Sequence, residues 1–211
     1  MLNVVDIEAE RDDRVLFANL TFNLNPGETL QIKGANGAGK TTLLKVLAGL
    51  SHDFSGEIRW RGVLLPEGAA DFRLATVFLG HNSGIKLALT PLENLTWRHH
   101  LSGKQALLPY TEALARAGLQ GYETLPCYHL SAGQQRRVAL ASLLVSEAAL
   151  WILDEPFTAL DVDGVAWLET LISAHAGQQG MTLLTSHQPL TLPSLKTLQL
   201  EAFSGDSGYD D

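Results

Sequence analysis

Cysteine is nearly missing from this chain, where Cys127 is the one thiol in 211 residues. An internal disulfide is therefore excluded, and the usage fits a reducing compartment. Positive charge is scarce as well. Fifteen Lys and Arg stand against 23 Asp and Glu, a formal net charge of −8, so there is no global basic footprint and no nucleic-acid partner is expected. Long apolar runs are lacking, since none reaches the roughly 18–20 residues that span a bilayer. The opening MLNVVDIEAERDD is acidic and has no apolar stretch of the kind a secretory leader needs. No internal repeat is found. Apolar residues are abundant, at 45%, enough for a full core in one domain spanning 1–211. These properties describe a soluble intracellular chain, whatever it docks on.

Apolar patterning maps the elements coarsely. Leu2 to Phe22 alternates short apolar stretches around the charged turn ERDDR, which predicts antiparallel strands. Thr29 to Lys33 (TLQIK) alternates polar and apolar, a departure from a fully buried parallel strand. Thr42 to Ala48 forms a short helix stopped by Gly49. The runs LWIL at 150–153 and TLL at 182–184 are strand-like. Between the early strands and LWIL the chain is mostly helical, with helices from Thr90-Pro91, over Thr111 to Ala117, and over Ser131 to Ala148. The last residues, 201–211, rich in Gly, Ser and acids, read as a disordered tail.

At 34–42 the chain reads GANGAGKTT. Gly34, Gly39, Lys40 and Thr41 fit G-x-x-x-x-G-K-[ST] between a strand and a helix. Without Cβ atoms the glycines let successive backbone N–H groups of Gly34, Ala35, Asn36, Gly37, Ala38 and Gly39 turn inward on phosphate oxygens. The helix N-terminus at Lys40, Thr41 and Thr42 adds its positive end. Lys40 supplies charge for the outer phosphates, and the Thr41 hydroxyl is placed for Mg²⁺. A glycine-rich turn matching by accident is expected at roughly the one per cent level in a chain this long. The loop is read as a nucleoside triphosphate site.

A second site separates the P-loop classes. LWILDE at 150–155 is an apolar strand that delivers Asp154 and Glu155 at its carboxyl end, where doubly wound sheets bind ligands. Asp154 is placed to anchor Mg²⁺ through water, and Glu155 to polarise a water for in-line attack. The base-reading N-K-x-D motif of a GTPase is lacking, which favours ATP. The third element is LSAGQQRR at 130–137. Ser131 and Gln134 form the capping box S-x-x-Q, and Gly133, with Ala132, leaves the helix N-terminus open to an anion. One nucleotide needs one P-loop, so a second anion-binding helix end suits a nucleotide held by another subunit.

These residues resemble the ABC-type ATPases. GANGAGKTT is similar to their Walker A loop, LWILDEP to their Walker B strand with its catalytic glutamate, and LSAGQ to their signature, usually LSGGQ. Thr158-Ala159-Leu160-Asp161 resembles the D-loop, and His187 resembles the switch histidine that contacts the γ-phosphate. The resemblance covers residues 1 to about 200. It implies an α/β fold, with a P-loop core (1–81 and 146–200), an N-terminal antiparallel β portion and an inserted helical subdomain at about 82–145. It also implies a homodimer with two ATPs, each held between one chain's Walker A loop and Ser131, Ala132, Gly133 and Gln134 of the other.

Two positions depart from the family pattern. Arg11 stands where an adenine-stacking aromatic is usual, and a guanidinium can also stack on a purine. The glutamine of the Q-loop is replaced, with either His81 or Asn82 in its role. GHNSGIK (80–86), LTPLENL (89–95) and SHQPL (186–190) resemble the ATP-binding subunit of the haem exporter of bacterial cytochrome c maturation. That implies ATP and Mg²⁺ as cofactors, polytopic membrane subunits as partners and the cytoplasmic face of the inner membrane as location. No direct haem binding is expected: adjacent His99 and His100 diverge on a helix, and no C-x-x-C-H motif is present. A transporter ATPase for another small substrate and a soluble non-transport ABC ATPase are the other readings.

Overall fold

The computed structural model describes residues 1–12, 14–100, 103–193 and 195–203. Two sheets organise it. β1 (Leu2–Arg11) and β2 (Arg14–Leu24) pair antiparallel around the charged turn, and β4 (Ser55–Trp60) with β5 (Val63–Leu64) extends them in the order β2-β1-β4-β5. The second sheet is parallel. Its strands are β3 (Thr29–Lys33), β6 (Thr76–Leu79), β7 (Leu150–Leu153), β8 (Met181–Thr185) and β9 (Leu195–Gln199), in the order β6-β7-β8-β3-β9. The fold is therefore the expected α/β class with an antiparallel portion.

A parallel sheet covered on both faces needs strands that are apolar on both sides, and β7 shows the division. Leu150 and Ile152 face a core shared with the antiparallel sheet and α1 (Lys40–Leu47), whereas Trp151 and Leu153 face a second core. That second core includes Leu140 and Leu143 of α5 (Ala132–Val145) and Leu168 and Ile172 of α6 (Val162–Gly177). A short α2 (Ala69–Ala75) leads into β6 and buries Phe72 against Trp60. A third cluster joins α3 (Pro91–His100), α4 (Tyr110–Arg116) and the outer face of α5 through Leu95, Leu114, Leu119, Cys127 and Val138.

Three local expectations differ from the structure. β3 is buried at four of its five positions despite its alternating pattern. Gln31 is only 2% exposed because its amide donates to the Ser186 carbonyl at 3.0 Å, so the polar side chain is satisfied inside. α5 stops at Val145, short of Ala148, because Ser146 turns extended (φ −96, ψ 135). Residues 201–203, placed in the tail from sequence, continue a 3-10 turn over Leu200–Phe203, since Leu200 is fully buried and Phe203 packs on the first core. The remainder of that expected tail, 204–211, lies outside the described residues.

Candidate functional site

The glycine loop joins the carboxyl end of β3 to α1. Gly37 and Gly39 hold φ of +86 and +91, a region that L side chains avoid, and a Cβ on Gly39 would also press on Leu16 at 3.1 Å. Gly39 is the N-cap residue and brings no side-chain cap to the helix, and the first turn of α1 carries no acid. Among the described residues its N-terminal amides are thus left open to an anion. Lys40 Nζ donates to the carbonyls of Gly34 (2.7 Å) and Ala35 (3.0 Å), across the mouth of the loop. The Ala35 amide is capped from outside by the Glu201 carboxylate.

Beside the loop lies a cleft of about 610 Å³. Arg11, Asn36, Gly37, Gly39, Lys40, Thr41, Thr42, His81, Asp154, Glu155 and His187 all line it, joined by Asp12, Arg14, Leu16 and Thr158. Arg11 pairs with Asp12 at 3.3 Å on the rim. His81 lines both this cleft and an adjoining one, whereas Asn82 lines the adjoining one alone.

The carboxylates sit where β7 ends. Asp154, 2% exposed, accepts from the Thr41 hydroxyl at 2.9 Å and from the Thr185 hydroxyl at 2.8 Å. A hydroxyl and a carboxylate side by side at a phosphate loop are hard oxygen donors that fit Mg²⁺. Glu155 is left-handed, with φ +48, a conformation that costs a non-glycine residue about 1–3 kcal/mol. Its amide donates to Thr185 Oγ1 at 2.9 Å. Its Oε2 accepts from the His187 amide at 3.3 Å, and Oε1 lies 3.4 Å from His187 Nε2. Oε1 is buried and has no hydrogen-bond donor among the described residues, with the His187 ring as its polar neighbour.

Ser131 to Gln134 sit elsewhere. The capping box is formed, with the Gln134 amide donating to Ser131 Oγ at 3.2 Å and the Ser131 amide to Gln134 Oε1 at 2.9 Å. None of the four residues lines the cleft of its own chain. Glycine at 133 has a packing cause that the sequence reading lacked, because a Cβ there would lie 2.7 Å from the Ala159 carbonyl. Asp161 caps α6 through the Gly164 amide (3.0 Å) and accepts from Arg137 at 2.6 Å. The Arg137 hydrogen bond, then the Gly164 amide, hold its carboxyl below the usual range.

Sequence reading missed Thr185, which holds the Asp154 carboxylate and the Glu155 amide, and Arg136, whose buried guanidinium bonds to the Asp154 and Glu155 carbonyls. TLLTS offered a faint cue for the first, a hydroxyl at the end of a strand neighbouring β7. Nothing marked the second. His99, buried in α3, shares a 3.1 Å hydrogen bond with the Tyr110 hydroxyl. Cys127 is buried beside the Asn94 amide, and burial pushes its thiol up.

The ABC transporter family profile matches residues 17–158. The chain is 49% identical over 208 residues to the cytochrome c biogenesis ATP-binding export protein CcmA 2 of Salmonella paratyphi A, covering 99% of this chain and 100% of that one. It is 50% identical over 196 residues to the CcmA of Escherichia coli O157:H7, covering 93% of each. With the CcmA of Saccharophagus degradans it shares 48% over 206 residues, 93% of this chain and 92% of that one. A putative ABC transporter ATP-binding protein from Pyrococcus furiosus superposes with a TM-score of 0.82 at 24% identity, covering 96% and 98% of the two chains. A dimeric bacterial ABC transporter cassette, MJ0796, gives 0.81 at 20% identity and 95% of each. At those identities the structural likeness shows the fold alone.

Proposed function

From the premise that the chain belongs to the ABC transporter family, we propose that it is the ATP-hydrolysing subunit of a membrane complex that exports haem, or releases a haem-loaded chaperone, in cytochrome c biogenesis. One observation carries the chemistry: Glu155, held left-handed at the end of β7, lines the cleft beside the phosphate loop with its carboxylate paired to His187. The loop amides and Lys40 bind the phosphates, Thr41 and Asp154 hold Mg²⁺, which when bound neutralises phosphate charge, and Glu155 takes the proton of the attacking water. His187 steadies that carboxylate and meets the γ-phosphate, and His81 rather than Asn82 takes the place of the Q-loop glutamine. The haem role is supported by about 49% identity along nearly the whole length to cytochrome c biogenesis ATP-binding export proteins.

Ser131 to Gln134 lie outside their own cleft, which supports an ATP-bound homodimer in which they close the partner's site. Among the described residues no helix is long and apolar enough to cross a membrane. Attachment to the cytoplasmic face of the inner membrane would then come from polytopic partners, at the segment from Asn82 to Leu89.

Glu155→Gln removes the base and keeps the size. It should bind ATP normally while turnover falls by roughly 10²–10⁴-fold. A strain lacking the gene should keep b-type haem proteins, lose covalently haem-bound c-type cytochromes on stained gels, and regain them with the wild-type gene but not with Glu155→Gln. Wild-type turnover in the variant would remove Glu155 from its role. Normal c-type cytochromes in the deletion strain would move the assignment to an ATPase for another substrate.

A further inference from the structure

Arg136 stands near the start of α5 and is 4% exposed. A guanidinium carries five N–H groups in a rigid fork, and here each finds a main-chain carbonyl. Nε donates to Pro156 at 3.2 Å, Nη1 to Gly80 (3.1 Å) and His81 (3.4 Å), and Nη2 to Asp154 (3.0 Å) and Glu155 (2.9 Å). Burial of an uncompensated cation is costly, so the five carbonyls explain how it sits there. They also all belong to two segments that line the cleft.

Glu155 adds a second observation. A left-handed residue persists only where its surroundings hold it, and both of its main-chain polar groups are held: the amide by Thr185, the carbonyl by Arg136 at 2.9 Å and, at 3.2 Å, by the Thr158 amide of the following turn. Beside this anchor, α5 meets the same segment twice more, through the close approach of Gly133 to Ala159 and through the Arg137–Asp161 pair. We infer that Arg136 is the positioning residue for Glu155, fixing the left-handed backbone that aims the carboxylate and tying it to the helix headed by Ser131. The inference rests on Glu155 being the base. Ammonium has three donors and no planar fork, so lysine cannot reproduce the clamp.

The test is steady-state hydrolysis and equilibrium ATP binding on the full-length chain, as wild type, Arg136→Lys, Glu155→Gln and the double variant. Arg136→Lys should lower kcat about 10²-fold, the scale of a small misplacement of a reacting group, while KM and ATP affinity stay within about threefold. Adding Arg136→Lys to Glu155→Gln should cost nothing more, because the group it aims is gone. An unimpaired Arg136→Lys overturns the inference alone, as does an equal loss in both backgrounds, which marks a merely structural arginine. Equal turnover in wild type and Glu155→Gln overturns the base assignment, and this inference with it. Should Arg136→Lys fail to fold, the Arg136 Nε–H resonance of the wild-type chain is the second measurement. It should exchange slowly and shift when ATP and Mg²⁺ are added, and a resonance blind to nucleotide overturns the inference.

Discussion

Thr185 shows how much one hydroxyl can hold. It donates to Asp154 and accepts from the Glu155 amide, so the Asp154 carboxylate and the Glu155 main chain are both held from the neighbouring strand β8. Thr185→Val keeps the shape and removes both bonds, leaving a buried acceptor and an amide without partners. Such losses cost about 1–3 kcal/mol, and the melting transition should fall accordingly. Turnover should fall further than ATP affinity, since the loop amides and Lys40 proposed to grip the phosphates are untouched. A variant with wild-type turnover would mean that the carboxylates are aimed without Thr185.

At the scale of elements, the start of α5 is set against the segment that follows β7. Gly133→Ala would put a methyl 2.7 Å from the Ala159 carbonyl, so the helix start or that segment must shift. The expected outcome is loss of the proposed ATP-dependent dimer in sedimentation, with the helix content of the monomer unchanged. An undiminished dimer would show that the spacing is not used. This contact explains what was legible in the sequence and what was not. The strands and helices around the loop, the carboxylates and the capping box were readable because periodicity, glycine and capping rules act over a few residues. α6, β4, β5, α2 and β9 were not picked out. β9 is a half-exposed edge strand with mixed polarity, and β5 has two residues. Arg136 and Glu201 were invisible for a different reason: their partners are main-chain groups far away in sequence, and no residue pattern encodes them.

For the whole molecule, stability depends on a histidine away from the cleft. His175 of α6 stacks flat on Trp151 of β7, with ring centroids 3.7 Å apart and planes 2° from parallel. Burial lowers its pKa from 6.5 to about 4, partly opposed by a main-chain hydrogen bond at Met181. The unfolded chain therefore takes up this proton first as pH falls. The stabilisation is complete above about pH 6.5 and is lost as pH drops through about 4, amounting at most to about 3 kcal/mol. Urea midpoints of the wild type should decline across that window, and His175→Phe should decline less. Parallel profiles for the two chains would contradict the burial argument. The same stack makes β7 its own optical reporter. An imidazolium quenches an indole it faces, so Trp151 emission should dim as His175 protonates. The strand that carries Asp154 at its end thus holds a chromophore whose brightness follows the seating of α6, with no label attached.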